Sequence, residues 1–247
     1  MNFNFYTQSF MMLIFKQLVN EGGCASYLVG CSDKKVCAIV DPTEKIDLFL
    51  NEARRQGLRI SHVIETHTHA DHLSGARELA EKTNSKVYMH ISSRVKFPFS
   101  PLHENQELSI GDQLFKIIHT PGHSADSICL QVESKLLTGD TLLIGDSGRM
   151  DLGGNPEQMF YSLRKLGEMK EDLEIFPSHI GESHFVSGLP NSTLFKEKEN
   201  NEAMKIKSKK DFMKYATEGW PEKPFNFEKI RNYNLGIEQE KPKTKQS

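Results

Sequence analysis

Four side chains of metal-binding type directly follow one short apolar segment. Ile60–Glu65 is predicted as a buried strand, and the sequence THTHADH comes next. His67 and His69 are two residues apart, so in extended backbone they point to the same side. Imidazole nitrogens and carboxylates are the ligands that a borderline divalent metal prefers. With Asp71 and His72 they predict a metal pocket at the carboxyl end of a strand, a common place for sites in α/β folds.

Parts of this motif also have explanations that involve no metal. Asp71 is placed to cap the N-terminus of a helix predicted over Leu73–Lys82, and His72 to be a solvated residue of its first turn. These separate explanations account for single residues only. The whole string of ligand-type side chains favours a metal site.

Three further residues of the same chemistry come later in the chain, each just after a predicted strand. They are His123 in TPGHS, Asp140 in TGD and His179 in PSH. One pocket formed by converging strand ends accounts for all three, although His179 alone could also be a capping or core-edge histidine. The other histidines have no such context and are assigned no role: His62, His90, His103, His119 and His184.

Hydrophobic periodicity predicts strands both in adjacent runs and alternating with helices, which indicates a mixed α/β layered fold. The predicted strands are Met12–Val19, Ser26–Gly30, Val36–Val40, Ile60–Glu65, Lys86–His90, Leu114–His119, Ile128–Val132, Leu136–Thr138 and Ile175–Phe176. The predicted helices are Glu44–Gln56, Leu73–Lys82, Pro156–Leu166 and Asp211–Ala216.

The domain boundaries follow from shifts in composition. Residues 1–11 are predicted as a loose extension and residues 12–190 as the sandwich core. From Asn191 onward Lys, Glu and Asn dominate, and residues 191–236 are predicted to complete the same domain with helices. Residues 237–247 are predicted as a disordered tail.

Composition excludes some classes of partner. The chain has 37% hydrophobic and 26% charged residues and a net charge of −2, which indicates a soluble protein with no demand for nucleic acid or a membrane surface. Its N-terminus has neither the pattern of a signal peptide nor the Arg of a transit peptide. The four cysteines lack CxxC spacing and are interpreted as free thiols, so a cytoplasmic location is expected.

The ordered set THTHADH, TPGHS, TGD and PSH resembles the metallo-β-lactamase superfamily, from about Met12 to at least Gly188. The resemblance implies a four-layer αββα sandwich with the metal site at one edge. In members that bind two metals, one metal would be held by His67, His69 and His123. The other would be held by Asp71, His72 and His179, and Asp140 would bridge them.

Within this superfamily, the GD…GR.D arrangement of Gly139–Asp151 is similar to that of persulfide dioxygenases. That branch implies one non-haem Fe(II) per chain, held by His67, His123 and Asp140, with open positions for a persulfide sulfur and O2. The products would be sulfite and a free thiol. His69, Asp71, His72 and His179 would then orient the ligands.

Two alternatives remain open from sequence. The first is a thioester hydrolase similar to glyoxalase II, with two Zn or mixed Zn/Fe ions, a metal-bound hydroxide as nucleophile and Asp71 as its catalytic orienting base. The second is a non-enzymatic metal-binding or redox-sensing protein, which is weaker because an open coordination site usually serves chemistry.

Arg149 is predicted to bind substrate, because its guanidinium fork suits a glutathione carboxylate. A structural ion pair with Asp151 or Asp146 is the competing interpretation. The chain shows no sulfurtransferase domain, so a small-molecule thiol persulfide or thioester is the expected substrate, and a separate sulfurtransferase could supply the sulfur. A homodimer is left open.

Overall fold

Two mixed sheets stacked face to face form the centre of the protein. The computed structural model describes residues 12–20, 22–180, 190–217, 220 and 222–243, and within them each sheet has six strands. The first sheet consists, in spatial order, of β1 (Leu13–Val19), β2 (Ala25–Cys31), β3 (Val36–Val40), β4 (Arg59–Ile64), β5 (Lys86–His90) and β6 (Ser100–Leu102). Its first three strands are antiparallel, and β3 to β6 run parallel.

The second sheet follows the same sequential order. Its strands are β7 (Glu107–Ile110), β8 (Gln113–His119), β9 (Ile128–Val132), β10 (Lys135–Gly139), β11 (Glu174–Pro177) and β12 (Ser192–Thr193). All of its neighbours are antiparallel except β10 and β11. The connection between this parallel pair contains a helix, as a parallel connection usually requires.

Helices cover the outer face of each sheet. They are α1 (Asp47–Arg55), α2 (Ala76–Thr83), α3 (Pro156–Gly167), α4 (Leu194–Asn200), α5 (Glu202–Lys205), α6 (Lys209–Tyr215) and α7 (Phe227–Asn234). Alternation along β2 shows how the layers form, because Tyr27 and Val29 belong to the core between the sheets. Leu28 points the other way and packs with Phe49 of α1 and Leu79 of α2.

A separate apolar cluster joins the second sheet to α3, α5 and α6, through residues such as Met159, Met204 and Phe212. Helix α3 begins with Pro156 at its first turn, and the Asn155 side chain caps it by accepting a hydrogen bond from the backbone N–H of Gln158 at 3.0 Å. The four layers are therefore helix, sheet, sheet and helix. The predicted αββα sandwich is confirmed.

The predicted strands and helices are present with small changes in their ends. Helix α2 begins at Ala76 rather than Leu73, so Asp71 and His72 lie before it and the capping interpretation of Asp71 is not realised. The segment between β5 and β8 was predicted as a loop and contains the short strands β6 and β7. Helices α4, α5 and α7 lie in the region predicted to be helical, but their individual bounds were not predicted.

The predicted domain boundaries stay predictions. The extension at residues 1–11 lies outside the described residues, as do residues 244–247 of the predicted tail. Earlier in that tail, Lys241 forms an ion pair with Glu44. In the part of the chain that is described, no helix has the length and apolar character needed to cross a bilayer.

Candidate metal centre

All seven predicted ligand-type residues lie at one edge of the sandwich, in loops that follow β4, β8, β10 and β11. Six of them, together with Cys24, form two groups, and His69 forms a third group with Asp41 and Glu65. Within each group the ligand atoms lie within 4.8 Å of one another. The first ligand group contains His67, His123 and Asp140, and the second ligand group contains Cys24, Asp71, His72 and His179. His69 lies between them, with its ring centroid 4.1 Å from that of His67 and 4.3 Å from that of His72.

The proton of His67 is positioned by a hydrogen-bonded chain. Thr66 Oγ1 donates to Asp41 Oδ2 at 2.7 Å, which uses its only proton. It must therefore accept from His67 Nδ1, 2.9 Å away. The lone pair of His67 is then on Nε2, which is buried and has no hydrogen-bond partner in the described part of the chain. Burial, followed by the charges of His69 and His123, lowers the pKa of His67 to about 3, so its ring is neutral as a metal ligand requires.

His123 is oriented in the same way by a main-chain group. Its Nδ1 lies 2.7 Å from the carbonyl oxygen of Arg149, which can only accept, so Nδ1 carries the proton and Nε2 carries the lone pair. That Nε2 lies 3.7 Å from Asp140 Oδ2, and His67 Nε2 lies 3.9 Å from the same oxygen. These separations are too long for hydrogen bonds, so three ligand atoms face a common space.

Asp140 is held as a carboxylate at the centre of the site. It follows Gly139, whose φ of +53° is in the left-handed region, and a Cβ there would lie 2.8 Å from Thr66 Oγ1. Glycine is therefore needed for β10 to approach the loop that carries His67. Burial would raise the pKa of Asp140, but His179, and then His123 and His67, hold it well below its usual range.

The second ligand group is bonded to itself. Asp71 Oδ2 accepts from His179 Nε2 at 2.7 Å and from His72 Nδ1 at 3.0 Å, and Cys24 Sγ lies 3.7 Å from the same oxygen. His179 Nδ1 also donates to Asp140 Oδ1 at 2.7 Å. Both ring nitrogens of His179 therefore face carboxylates. Burial opposes its charge, but Asp140 and Asp71 raise the pKa of His179 well above its ordinary value.

Three buried nitrogens indicate that these residues fit a metal ion. Within the described residues His67 Nε2, His69 Nδ1 and His72 Nε2 have no hydrogen-bond partner. Buried polar atoms are normally paired, because an unpaired one costs roughly 1–3 kcal/mol. Each of these rings has its other nitrogen engaged, so the unpaired atom is the one available to a metal. The donor set of imidazole and carboxylate suits zinc or iron.

Comparison with known protein families identifies the superfamily of this chain. A family model described as the metallo-beta-lactamase superfamily matches residues 19–179. The chain belongs to the metallo-β-lactamase superfamily.

Similar proteins from this superfamily differ in how much of the chain they match. ETHE1 from Myxococcus xanthus is 27% identical with a TM-score of 0.85, covering 91% of this chain and 99% of its own. A metallo-beta-lactamase from Staphylococcus aureus is 30% identical with a TM-score of 0.87, covering 94% and 75%. The hydroxyacylglutathione hydrolase of Pseudomonas fluorescens is 32% identical over 143 residues, 58% of this chain and 56% of its own length. The chain thus spans little more than half of that relative.

In this superfamily member, Arg149 is buried beside an acidic partner. Its side chain is 5% exposed, and its Nε and Nη2 atoms donate to the two oxygens of Asp151 at 2.7 and 2.8 Å. Nη1 donates to the carbonyl of Glu222 at 3.0 Å. The ion pair with Asp151, considered as the alternative role, is therefore formed. It holds the main chain whose carbonyl orients His123, and a substrate-binding role for Arg149 stays a prediction.

Several supporting residues were not assigned a role from sequence. Asp41 accepts from Thr66 and from Ser178 Oγ at 2.6 Å, and so it ties the loops of His67 and His179 together. Glu65 accepts from His69 Nε2 at 2.9 Å. Asp41 and Glu65 follow parallel strands directly, which is the signal that identified Asp140.

Cys24 and Asn234 had no comparable sequence signal. Cys24 joins the second ligand group because it forms an isolated β-bridge with His179. Asn234 of α7 donates to the carbonyls of His69 and His72 at 2.9 and 2.8 Å, which fixes the loop of the motif. Both contacts connect residues that are distant in the chain.

Proposed function

We propose that this protein is a non-haem Fe(II) persulfide dioxygenase acting on a glutathione-type persulfide. The observation that supports it best is the contrast between the two ligand groups. His67, His123 and Asp140 direct two imidazole nitrogens and a carboxylate toward one space, and the other nitrogen of each ring is hydrogen bonded. In the second ligand group His179 and Asp71 are hydrogen bonded to each other, and a metal bound there would have to replace that bond.

The proposed reaction conserves all atoms: RSSH + O2 + H2O gives RSH, HSO3⁻ and H⁺. Iron(II) held by His67, His123 and Asp140 would offer open positions for a persulfide sulfur and O2. The remaining residues of the site keep these three side chains in place. Thr66 and the carbonyl of Arg149 fix the two imidazoles, and His179 fixes the carboxylate of Asp140.

His179 and Asp71 also provide a route for protons beside the reacting sulfur. His179 links the two carboxylates Asp140 and Asp71, and His72 hydrogen bonds to the same Asp71 oxygen.

A dinuclear thioester hydrolase is the second candidate, and a specific observation supports it. His69 Nδ1 and His72 Nε2 are buried without partners in the described residues, and the mononuclear iron site uses neither. Hydroxyacylglutathione hydrolases are among the proteins similar to this chain, and the one from Pseudomonas fluorescens matches it over 143 residues. In that candidate Asp71 would orient a nucleophilic hydroxide.

One preparation can test both candidates. Protein purified anaerobically without chelators or added metal should contain about one iron ion per chain, as a facial triad implies. An oxygen electrode should show O2 uptake with glutathione persulfide, and sulfite should accumulate in equal amount. About two zinc ions per chain, fast hydrolysis of S-lactoylglutathione and no persulfide-dependent uptake would establish the hydrolase instead.

A separate sulfurtransferase, a homodimer and a cytoplasmic location stay predictions. If a sulfurtransferase supplies the persulfide, adding one together with thiosulfate and glutathione should start O2 uptake without preformed persulfide. Uptake that needs the preformed compound in every case would count against such a partner.

A further inference from the structure

The two histidines of the first ligand group come from different sheets. His67 lies in the loop after β4 of the first sheet, and His123 lies in the loop after β8 of the second sheet. Their ring centroids are 4.7 Å apart. One main-chain hydrogen bond joins the two segments, from the N–H of Ile128 to the carbonyl of Thr66 at 2.9 Å. Side chains that connect the loops must supply the rest of the precision that a metal site needs.

The two threonines that flank His67 each donate to a buried aspartate. Thr66 Oγ1 donates to Asp41 Oδ2 at 2.7 Å, and Thr68 Oγ1 donates to Asp126 Oδ2 at 2.6 Å. Asp41 is 2% exposed and Asp126 is 5% exposed. Asp41 ties this loop to one loop of the second sheet through a further hydrogen bond. Asp126 is its counterpart on the other side of His67.

The second oxygen of Asp126 holds the loop of His123. Ser124 follows His123 directly, and its Oγ donates to Asp126 Oδ1 at 2.6 Å. Because that hydroxyl has one proton, the 2.7 Å contact between Ser124 Oγ and Ser127 Oγ is a bond donated by Ser127. Ser127 Oγ in turn accepts from the N–H of Ser124 at 3.1 Å. The hydroxyl protons of this loop are thus directed along one chain that ends on the carboxylate.

Asp126 acts through these hydroxyls and not on the metal itself. Burial would raise the pKa of Asp126, but the hydrogen bonds from Ser124 and Thr68 hold it below its usual range. The side chain is therefore a carboxylate whose two oxygens are both engaged. Among the described residues it belongs to none of the three groups of converging ligand atoms. A carboxylate suits this place because it accepts from two hydroxyls at once and donates to neither.

We propose that Asp126 is a positioning residue of the metal centre. By accepting from Thr68 and Ser124 it fixes the spacing between His67 and His123, and so it sets the affinity of the first ligand group for its metal. This inference rests on the metal site of the proposed function and not on its reaction, since both candidate functions use the two histidines as ligands.

Binding of Co(II) tests this role without turnover. The ion is titrated anaerobically into the metal-free full chain against a competing chelator, and its d–d absorption reports the ligand geometry. Asp126→Ala separates the two loops, so it should bind the first equivalent of Co(II) about tenfold more weakly, at the lower end of the effect of groups that support ligands. The absorption bands of the saturated variant should also differ from those of the wild type. Far-UV circular dichroism confirms that the variant is folded.

A second variant breaks the bridge at its other end. Thr68→Val keeps the shape of the side chain and the carboxylate of Asp126, and it should lose the same factor of about ten. The matched control is Thr83→Val, at a half-buried threonine of α2 whose hydroxyl donates to the carbonyl of Leu79 at 2.7 Å. It should bind Co(II) as the wild type does. If Asp126→Ala does not fold, this pair of threonine variants decides the question.

The combination of the two variants separates a bridge from a general loss of stability. Asp126→Ala/Thr68→Val should bind Co(II) no more weakly than either single variant, because the bridge is already broken in each. Asp126→Asn should stay within about threefold of the wild type, since an amide can accept from one hydroxyl and donate to the other. Folded single variants with the affinity and absorption of the wild type would overturn the proposal. So would a double variant weakened about a hundredfold, as independent effects would give, or an Asp126→Asn variant as weak as Asp126→Ala.

The outcome is separable from that of the proposed function. If no persulfide supports O2 uptake but the Co(II) results hold, the reaction is wrong and the role of Asp126 stands. If O2 uptake is normal and Asp126→Ala binds Co(II) as the wild type does, the role of Asp126 is wrong and the reaction stands.

Discussion

The members of the first ligand group keep their ligand atoms apart, whereas those of the second ligand group bond to one another. His67 Nε2 and His123 Nε2 are 3.9 and 3.7 Å from Asp140 Oδ2, and both rings are anchored through their other nitrogen. In the second group Asp71 Oδ2 accepts two hydrogen bonds of 3.0 Å or less. Histidine and aspartate side chains can thus direct their ligand atoms toward a metal or hydrogen bond to one another, depending on the groups that surround them.

The difference originates in the surrounding groups. The Thr66 hydroxyl donates its proton to Asp41, so it can only accept from His67 Nδ1. The main-chain carbonyl of Arg149 likewise accepts from His123 Nδ1. In both rings the Nε2 lone pair therefore points into the site. His179 instead has a carboxylate on each side. It therefore holds two protons and serves as a cationic link between the groups.

The largest effect is expected for Asp140→Ala, since the first group has no other carboxylate. Iron content should fall to about a tenth or less per chain, and activity by more than the 10–100-fold typical of residues that only support ligands. Metal analysis and O2 uptake measure this. Asp172→Ala, at an exposed turn position, is the control and should keep both. Stoichiometric metal in Asp140→Ala would show that the site has been placed wrongly.

His179→Ala probes the link between the groups. If iron is held by the first group alone, the variant should keep most of its metal and lose roughly 10–100-fold in activity, because Asp140 loses the hydrogen bond that orients it. Metal analysis beside O2 uptake separates the two readings. Loss of about half the metal would make His179 a ligand and favour the dinuclear hydrolase.

Sequence was sufficient to identify the ligand-type residues because metal chemistry restricts both residue type and position. Histidine and aspartate just after apolar strands are few, and the carboxyl ends of neighbouring strands meet at one edge. The pattern of strands and helices predicted a mixed α/β layered fold, and the four-layer αββα arrangement was implied by the resemblance to the superfamily. Along β2, Tyr27 and Leu28 face opposite layers.

What sequence could not supply is the partner of each ring nitrogen. The orientation of His67 depends on Asp41, and the orientation of His123 on a carbonyl at residue 149. Cys24 reaches the second group through a bridge between distant segments, and Asn234 reaches the motif from the last helix. These contacts are set by tertiary packing, which periodicity along the chain does not encode.

The support behind His123 can be weakened through Arg149. Arg149→Gln removes the buried guanidinium and leaves the carboxylate of Asp151 without its bidentate partner. The free energy of unfolding should therefore fall by about 3 kcal/mol. Denaturant titration measures it, and a cycle with Asp151→Asn should give a coupling of about 1–3 kcal/mol. A variant with unchanged stability and a raised KM would instead confirm the predicted substrate role.

Asp41 supports both groups at once and should give a smaller, pH-dependent effect. Burial would raise its pKa, but the hydrogen bond from His69, with the charges of His69 and His67, lowers it from 3.8 to about 2. A depressed pKa stabilises the fold fully above the unfolded value and loses that contribution as pH falls toward 2. A pKa lowered from 3.8 to about 2 corresponds to about 2.5 kcal/mol.

Asp41→Asn should therefore lower the free energy of unfolding by about 2 kcal/mol at pH 7, and flatten its dependence between about pH 4 and 2. Denaturant titrations at several pH values measure both. Asp112→Asn, at an exposed position, is the matched control. If the free energy of unfolding changes equally with pH in the wild type and in Asp41→Asn between about pH 4 and 2, the carboxylate of Asp41 is not the group responsible for this pH dependence.

The smallest effect is expected for Cys24→Ser, and it isolates the second group most cleanly. Cys24 is 8% exposed, and its thiol lies 3.7 Å from Asp71 Oδ2. Burial would raise its pKa, but His72 and His179 lower it to about 6. If this group is a hydrogen-bonded network, iron content should be unchanged and activity should stay within about threefold of wild type, because Asp140 and Asp71 still hold His179. If the second ligand group holds zinc, the thiolate of Cys24 is one of the ligands that zinc prefers. Replacement by serine should then lower zinc affinity by a hundredfold or more, on the order expected for a lost ligand.

A competition titration with a chromophoric zinc chelator distinguishes the hydrogen-bonded network from the zinc site. Cys129→Ser is the control, because the Cys129 thiol is buried in the core cluster behind α3. Tight zinc binding that depends on Cys24 would show that the second ligand group also binds a metal, and the contrast drawn between the two groups would then be wrong.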